Sequence, residues 1–173
     1  SYTYNYDNNR NIVSKTDNGE SHTFGYDSLN RLQASSLFNE AYGYDPRGNR
    51  SQMTTERPVD FSEANYTYDA RDRLTNVHTE KGDVAYRYNG DGLMTERTGT
   101  NGVKTRYYYD DRALLVAEGA VDANGSATIT VGYVYDANGQ LRARQIPGES
   151  GLQTYWTNGH GDISDERRVG EEA

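Results

Sequence analysis

The amino-acid sequence predicts an all-β fold, an antiparallel meander of repeated β-hairpins. Three observations carry that reading. A pair of aromatics separated by one residue keeps returning, a fixed turn signature follows each pair, and no stretch shows a helical period. The fullest statements are Tyr66-Thr67-Tyr68-Asp69-Ala70-Arg71-Asp72-Arg73-Leu74 and Tyr133-Val134-Tyr135-Asp136-Ala137-Asn138-Gly139-Gln140-Leu141. The same frame recurs at Tyr4/Tyr6/Asp7, Phe24/Tyr26/Asp27, Tyr42/Tyr44/Asp45, Tyr86/Tyr88/Asn89 and Tyr107/Tyr109/Asp110, with a worn eighth copy at Tyr155-Trp156-Thr157-Asn158. Second aromatics lie 18 residues apart at the closest (Tyr26 to Tyr44) and 26 at the widest (Tyr109 to Tyr135). Repeats of that length imply stacked supersecondary units.

Each part of the phrase has a physical reason. Aromatics at i and i+2 share one face of a strand. The Asp suits the first position of a type I turn, where its carboxylate accepts backbone N–H groups further on. Three residues later stand Asn30, Gly48, Asp72, Gly92, Gly139 and Gly161, which tolerate the left-handed conformation of a G1 bulge. Arg10 and Ala113 hold that position in the other two copies, where the turn signal is weaker. Five residues after the Asp or Asn come Ile12, Leu32, Arg50, Leu74, Met94, Leu115, Leu141 and Ile163, apolar in seven of eight copies. A three-residue loop then sets Tyr68 against Leu74 and Tyr135 against Leu141. Asp27 with Arg31, and Asp69 with Arg73, fall on the other side. Each such cross-strand pair contributes roughly 0.2–1 kcal/mol.

In chain order, Asp17-Asn18-Gly19 returns the first hairpin, and repeats two and three run from Thr23 to Thr54, joined near Asn39-Glu40. Residues 56–63 read as an outlying polar loop. Lys81-Gly82-Asp83, Asn101-Gly102 and Asp122-Ala123-Asn124-Gly125 make further return turns, the last closing a longer hairpin with the alternating run 127–131. Residues 147–151 lead to the final copy, and the charged stretch from Asp165 onward is expected to fray. About fifteen strands result, in a single domain spanning 1–173.

Composition narrows the classes. Only 34% of residues are hydrophobic even with 16 tyrosines included, so tyrosine must do much of the burying in a thin core. A net charge of −8 without a basic stripe argues against nucleic acid as a partner. No apolar run approaches the roughly 18 residues of a membrane span. With no cysteine there is no disulfide or thiol chemistry. His22, His78 and His160 are scattered and lack metal-ligand spacing, and His160-Gly161-Asp162 comes with no nucleophile motif. Asp122-Ala123-Asn124-Gly125 and Asn89-Gly90-Asp91-Gly92 hint at calcium, but the ligand ladder of an EF-hand loop is missing and turn geometry accounts for them. No cofactor is expected. Tyr108 and Trp156 fall between aromatic positions and face the opposite side, so they are the candidates to stack on a carbohydrate ring.

The Tyr-Asp dipeptides at Tyr6-Asp7, Tyr26-Asp27, Tyr44-Asp45, Tyr68-Asp69, Tyr109-Asp110 and Tyr135-Asp136, with Tyr88-Asn89 in frame, resemble the YD-repeat (Rhs-repeat) family over nearly the whole chain. Asn158-Gly159-His160-Gly161-Asp162 is similar to a segment late in the core of bacterial members. The resemblance implies a β-ribbon that builds part of a hollow shell, as in bacterial polymorphic toxins, insecticidal toxin complexes and teneurins. It implies a secreted or surface bacterial protein, with the remaining repeats and a toxin effector as partners, and no enzymatic role for these repeats. Beyond the last repeats no Asp-Pro-x-Gly cleavage motif follows; the one Asp-Pro, Asp45-Pro46, sits in a repeat turn. The other reading of the aromatic repeats is a module binding cell-surface carbohydrate or a protein receptor. In either case the strand from Tyr2 to Tyr6 is expected to leave an edge open to self-pairing.

The face assignment makes a direct prediction. Tyr68→Ala should lower stability several times more than Thr67→Ala, because losing a buried aromatic costs about 3–5 kcal/mol. Equal shifts in urea midpoint would show that the two residues do not lie on different faces.

Overall fold

The computed structural model describes residues 2–58, 61–149, 151–157 and 163–168, with side chains through residue 155. Asn158-Gly159-His160-Gly161-Asp162 and the end of the chain lie outside the described residues. What is described is all-β: sixteen strands and one turn of 3₁₀ helix at Leu37–Asn39. Strand order equals chain order, every pairing antiparallel, so the predicted meander is the observed topology.

Two compact units divide within the ninth strand, Ser1–Ala85 and Tyr86–Ala173. The first holds β1 (Tyr2–Tyr6), β2 (Ile12–Asp17), β3 (Glu20–Tyr26), β4 (Leu32–Ser35), β5 (Glu40–Tyr44), β6 (Arg50–Thr54), β7 (Glu63–Tyr68), β8 (Leu74–Thr79) and the start of β9 (Gly82–Tyr88). The second continues with β10 (Met94–Thr98), β11 (Lys104–Tyr109), β12 (Leu115–Val121), β13 (Ala127–Tyr135), β14 (Leu141–Gln145), β15 (Gln153–Thr157) and β16 (Ile163–Arg168). The sixteenth strand corrects the expectation of a frayed tail at its start. Its backbone pairs with β15 from Thr157↔Ile163 to Gln153↔Arg168, because the eighth hairpin keeps the register of the others despite its worn turn.

Every Asp turn has the expected geometry. At Asp69 the N–H of Asp72 donates to the Asp69 carbonyl at 3.1 Å, and the N–H of Asp69 donates to Arg73 O at 2.9 Å. The third turn residue is left-handed in seven copies, including the two without a favourable residue, Arg10 (φ 68) and Ala113 (φ 62). There the strand pairing on both sides overrides local preference. Tyr68 pairs with Leu74 and Tyr135 with Leu141, each at a register shift, as expected. Arg31 and Arg73 meet Asp27 and Asp69 at 2.7 Å.

The core is thinner than a sandwich. Among the described residues the buried apolar side chains are Ala64, Val77 and Ala143, and no large side chain is fully buried. Tyr68 is half-buried, which places its truncation cost toward the low end of the range for aromatics. The segment after β6 is no outlying loop. Thr55 N–H donates to Ser62 O and Glu56 N–H to Phe38 O, both at 2.8 Å, and Thr55, Arg57 and Phe61 line a cleft with Tyr42.

Ala113 supplies a test. Left-handed conformation costs a non-glycine residue about 1–2 kcal/mol, and glycine's extra chain entropy offsets roughly 0.5–1 kcal/mol of the relief. Ala113→Gly should therefore stabilise by roughly 0.5–1 kcal/mol in urea unfolding, and Gly139→Ala should destabilise; the opposite signs would contradict the turn assignment.

Candidate functional site

Neighbouring hairpins pair only partway toward their Asp turns. The β2–β3 ladder ends at Ser14↔Thr23, β4–β5 at Ala34↔Ala41, β6–β7 at Gln52↔Asn65, β10–β11 at Glu96↔Arg106 and β12–β13 at Ala117↔Gly132. Ile12, Leu32, Arg50, Met94 and Leu115 lie beyond those last pairs, and their carbonyls would be left without a ladder donor. The second tyrosine of the following repeat fills the place. Tyr26 OH donates to Ile12 O at 3.0 Å, Tyr44 OH to Leu32 O at 2.5 Å and Tyr68 OH to Arg50 O at 2.8 Å. Tyr109 OH donates to Met94 O and Tyr135 OH to Leu115 O, both at 2.7 Å. Tyr88 holds the same place in β9. Burial in this position raises the hydroxyl pKa of Tyr68, Tyr109 and Tyr135.

The Asp residues act within the turn. Asp27 Oδ1 accepts the N–H of Leu29 and of Arg31, both at 2.9 Å, and the pattern repeats at Asp7, Asp45, Asp69, Asp110 and Asp136. The backbone N–H of Arg31 and of Arg73 is the chief reason the carboxyls of Asp27 and Asp69 sit below the ordinary range. Asn30 and Asp72 use their side chains to join turns: Asn9 and Asn11 donate to Asn30 Oδ1, and Asn49 donates to Asp72 Oδ1.

A cleft of about 350 Å³ opens on the tyrosine face, lined by Glu40, Tyr42, Arg50, Met53, Thr55, Arg57 and Phe61. Glu40 alternates with Tyr42 and Tyr44 along β5 and so points to the same side. Its carboxylate is buried and fully engaged. Arg57 pairs with Oε1 at 3.0 Å, Thr55 Oγ1 donates to Oε1 at 3.4 Å, and Tyr42 OH donates to Oε2 at 2.8 Å. Arg57 also lies over the Phe38 ring, 4.9 Å from its centroid. Arg50 lies over the Tyr42 ring at 4.2 Å. Sequence reasoning missed this network because Arg57 and Phe61 belong to a segment without periodicity. The sequence signal was Arg50, the one polar residue at the apolar position.

Of the residues singled out for carbohydrate, Tyr108 is half-buried in β11, opposite Ala117 and between Tyr107 and Tyr109. Trp156 lies in β15, and its side chain is outside the described residues. His78 Nδ1 meets Asp83 at 2.5 Å on an exposed surface, and His22 lines a groove of about 460 Å³ with Lys15, Asp17 and Phe24. The Asp122 carboxylate, in the turn that hinted at calcium, accepts the N–H of Asn124 and of Ser126 as in the other turns.

Comparison with known proteins gives consistent matches. A family profile described as the teneurin YD-shell matches residues 33–162. The tRNA3(Ser)-specific nuclease WapA of Bacillus spizizenii is 31% identical over 166 residues, and so is the tRNA nuclease WapA of Bacillus subtilis; the matches cover 94% of this chain. The chain spans about 6% of the length of those relatives. Among solved structures, the TcdB2-TccC3-Cdc42 crystal structure superposes with a TM-score of 0.64 at 16% identity, over 91% of this chain and 10% of that one. TcdB2-TccC3-TEV gives 0.65 at 10% identity, over 97% and 11%. These structures share the fold.

Tyr133 yields a pH prediction. Burial, then its 2.8 Å hydrogen bond to the Glu118 carboxylate, pushes its hydroxyl up to about 12. A raised pKa means the folded state holds the proton more tightly. Its stabilisation is therefore complete below the ordinary tyrosine value of about 10 and is lost as pH rises toward about 12. Urea midpoints should fall across that window, and less steeply in Tyr133→Phe; an identical slope would mean the hydrogen bond to Glu118 does not form.

Proposed function

This chain belongs to the teneurin YD-shell family, and from that premise we propose that it is a non-enzymatic stretch of shell wall in a toxin-related bacterial protein. The observation that carries this reading is the tie between repeats. Tyrosine hydroxyls hold one hairpin to the next and Asp carboxylates close the turns, so the groups most able to bind or react are already engaged. The chain's acidity supports the same assignment, since a net charge of −8 is ill suited to a tRNA backbone. We therefore assign the nuclease activity in the relatives' names to the part of those chains that this one does not match. In this reading the parent protein is secreted or presented at the surface, and its further repeats and effector are the partners.

The wall reading has a structural corollary at β1. Tyr2, Tyr4 and Tyr6 are 64%, 43% and 59% exposed, so a strand with the family's aromatic frame offers an open edge. The negative charge opposes indiscriminate clustering, and salt screens it.

Two measurements test the proposal. Incubated with total tRNA and magnesium, the purified chain should leave the tRNA intact; cleavage that is abolished by one substitution in the chain would overturn the assignment. In light scattering, salt should strengthen self-association and Thr3→Pro should reduce it. A strictly monomeric chain, indifferent to salt at every concentration, would show that the β1 edge is covered.

A further inference from the structure

Arg50 departs from the repeat in a way the wall does not require. Seven of eight copies place an aliphatic residue there, and the one service the position gives its neighbour, accepting the Tyr68 hydroxyl, comes from the backbone carbonyl. The side chain is exposed and stacked on Tyr42, and among the described residues its guanidinium meets no carboxylate or other hydrogen-bond acceptor. Other stacked arginines of this unit do have acids: Arg31, over the Tyr44 ring, pairs with Asp27, and Arg57, over Phe38, pairs with Glu40. The Glu40 carboxylate is taken by Arg57, Thr55 and Tyr42. The cleft therefore carries one positive charge in excess, on a planar fork that stacking holds in place.

We propose that this cleft binds a carboxylate carried on a short apolar stem, with Arg50 as the bidentate donor. A guanidinium fork matches a carboxylate with two parallel N–H···O bonds. One uncompensated cation beside the Glu40 carboxylate suits a monoanion and disfavours a doubly charged phosphate or sulfate. Met53 and Phe61 line the same cleft and offer apolar surface to the stem. A glutamyl side chain of a peptide and a short free acid share this chemistry. Thr55, Arg57 and Phe61 form one side of the cleft, with Thr55 held by its N–H to Ser62 O, so the site depends on these residues staying in place.

The test is a titration of the folded chain with N-acetylglutamic acid α-amide, butyrate, acetate and sulfate, read by calorimetry and by the Arg Nε–H signals in nuclear magnetic resonance. The first two should saturate and shift the Arg50 signal, and acetate should bind more weakly. Arg50→Leu restores the residue type of the other copies, should stay folded, and should weaken binding at least about tenfold. Arg50→Lys keeps the charge without the fork and should also weaken it, which keeps the test open if the leucine variant misfolds. Tighter binding of the glutamyl compound would point to a peptide, and tighter binding of butyrate to a free acid; both support the site. Sulfate binding as tightly as butyrate, affinity unchanged in Arg50→Leu, or no saturation up to about 100 mM would each overturn it.

Discussion

The structure depends on one hydrogen bond made again and again, from a tyrosine hydroxyl to a backbone carbonyl one hairpin back. The Asp turn inserts an extra residue on one strand, as the register shifts at Gly43/Tyr44 and Val134/Tyr135 record. Bulges increase local twist and bend the strand, and near its turn each hairpin draws away from the ladder of the next. A carbonyl left in that gap without a donor costs about 1–3 kcal/mol when water is excluded. The tyrosine answers both problems, its ring filling the gap and its hydroxyl reaching the carbonyl. Phenylalanine would fill the space and leave the oxygen unmet, which explains why the second position is tyrosine in the copies that show the tie.

Among the described residues few side chains are fully buried, so the sheet gains little from a central core. Its stability comes from the carboxylate that closes each turn and from terms that each repeat shares with its neighbours: the hydroxyl tie and the side-chain links of Asn30 and Asp72 between turns. Energies summed between nearest neighbours are the signature of a repeat protein. They let a ribbon grow without needing a larger core, which is what a wall requires. Asn30 and Asp72 show the trade plainly. Glycine would sit in the left-handed turn at lower strain, yet these two carry an acceptor that meets the preceding turn.

Most of this was legible in the sequence because the frame is local. Aromatic spacing, turn type, the Tyr68–Leu74 pairing and the Asp27–Arg31 contact all follow from strand alternation and turn chemistry within ten residues. The tie itself was not, since it links Tyr44 to Leu32 O through a gap that exists only once two hairpins diverge. The Glu40 network was hidden for a related reason. The sequence there has no period, and what places Thr55 and Glu56 is a pair of backbone bonds, to Ser62 O and Phe38 O, that side-chain patterns do not encode. Left-handed Arg10 and Ala113 show strand pairing deciding a turn against its own residues.

A fold specified by so few positions explains why solved structures at 10% and 16% identity superpose on this chain. The frame asks for tyrosine, a turn acid, a residue that accepts positive φ, and an apolar side chain; other positions can drift without breaking a tie. Under that constraint a departure inside the frame means more than variation outside it. Thr157 in place of the second aromatic and Arg50 in place of the aliphatic are two such departures. The eighth repeat pairs with the seventh through the ladder Arg144↔Gln153 and Ala143↔Thr154. Arg50 costs the ribbon no tie, because its contribution to the tie is main chain. A position whose structural task is met by its carbonyl leaves its side chain free for other chemistry, and at Arg50 that freedom meets the cleft that Glu40, Arg57 and Phe61 help to line.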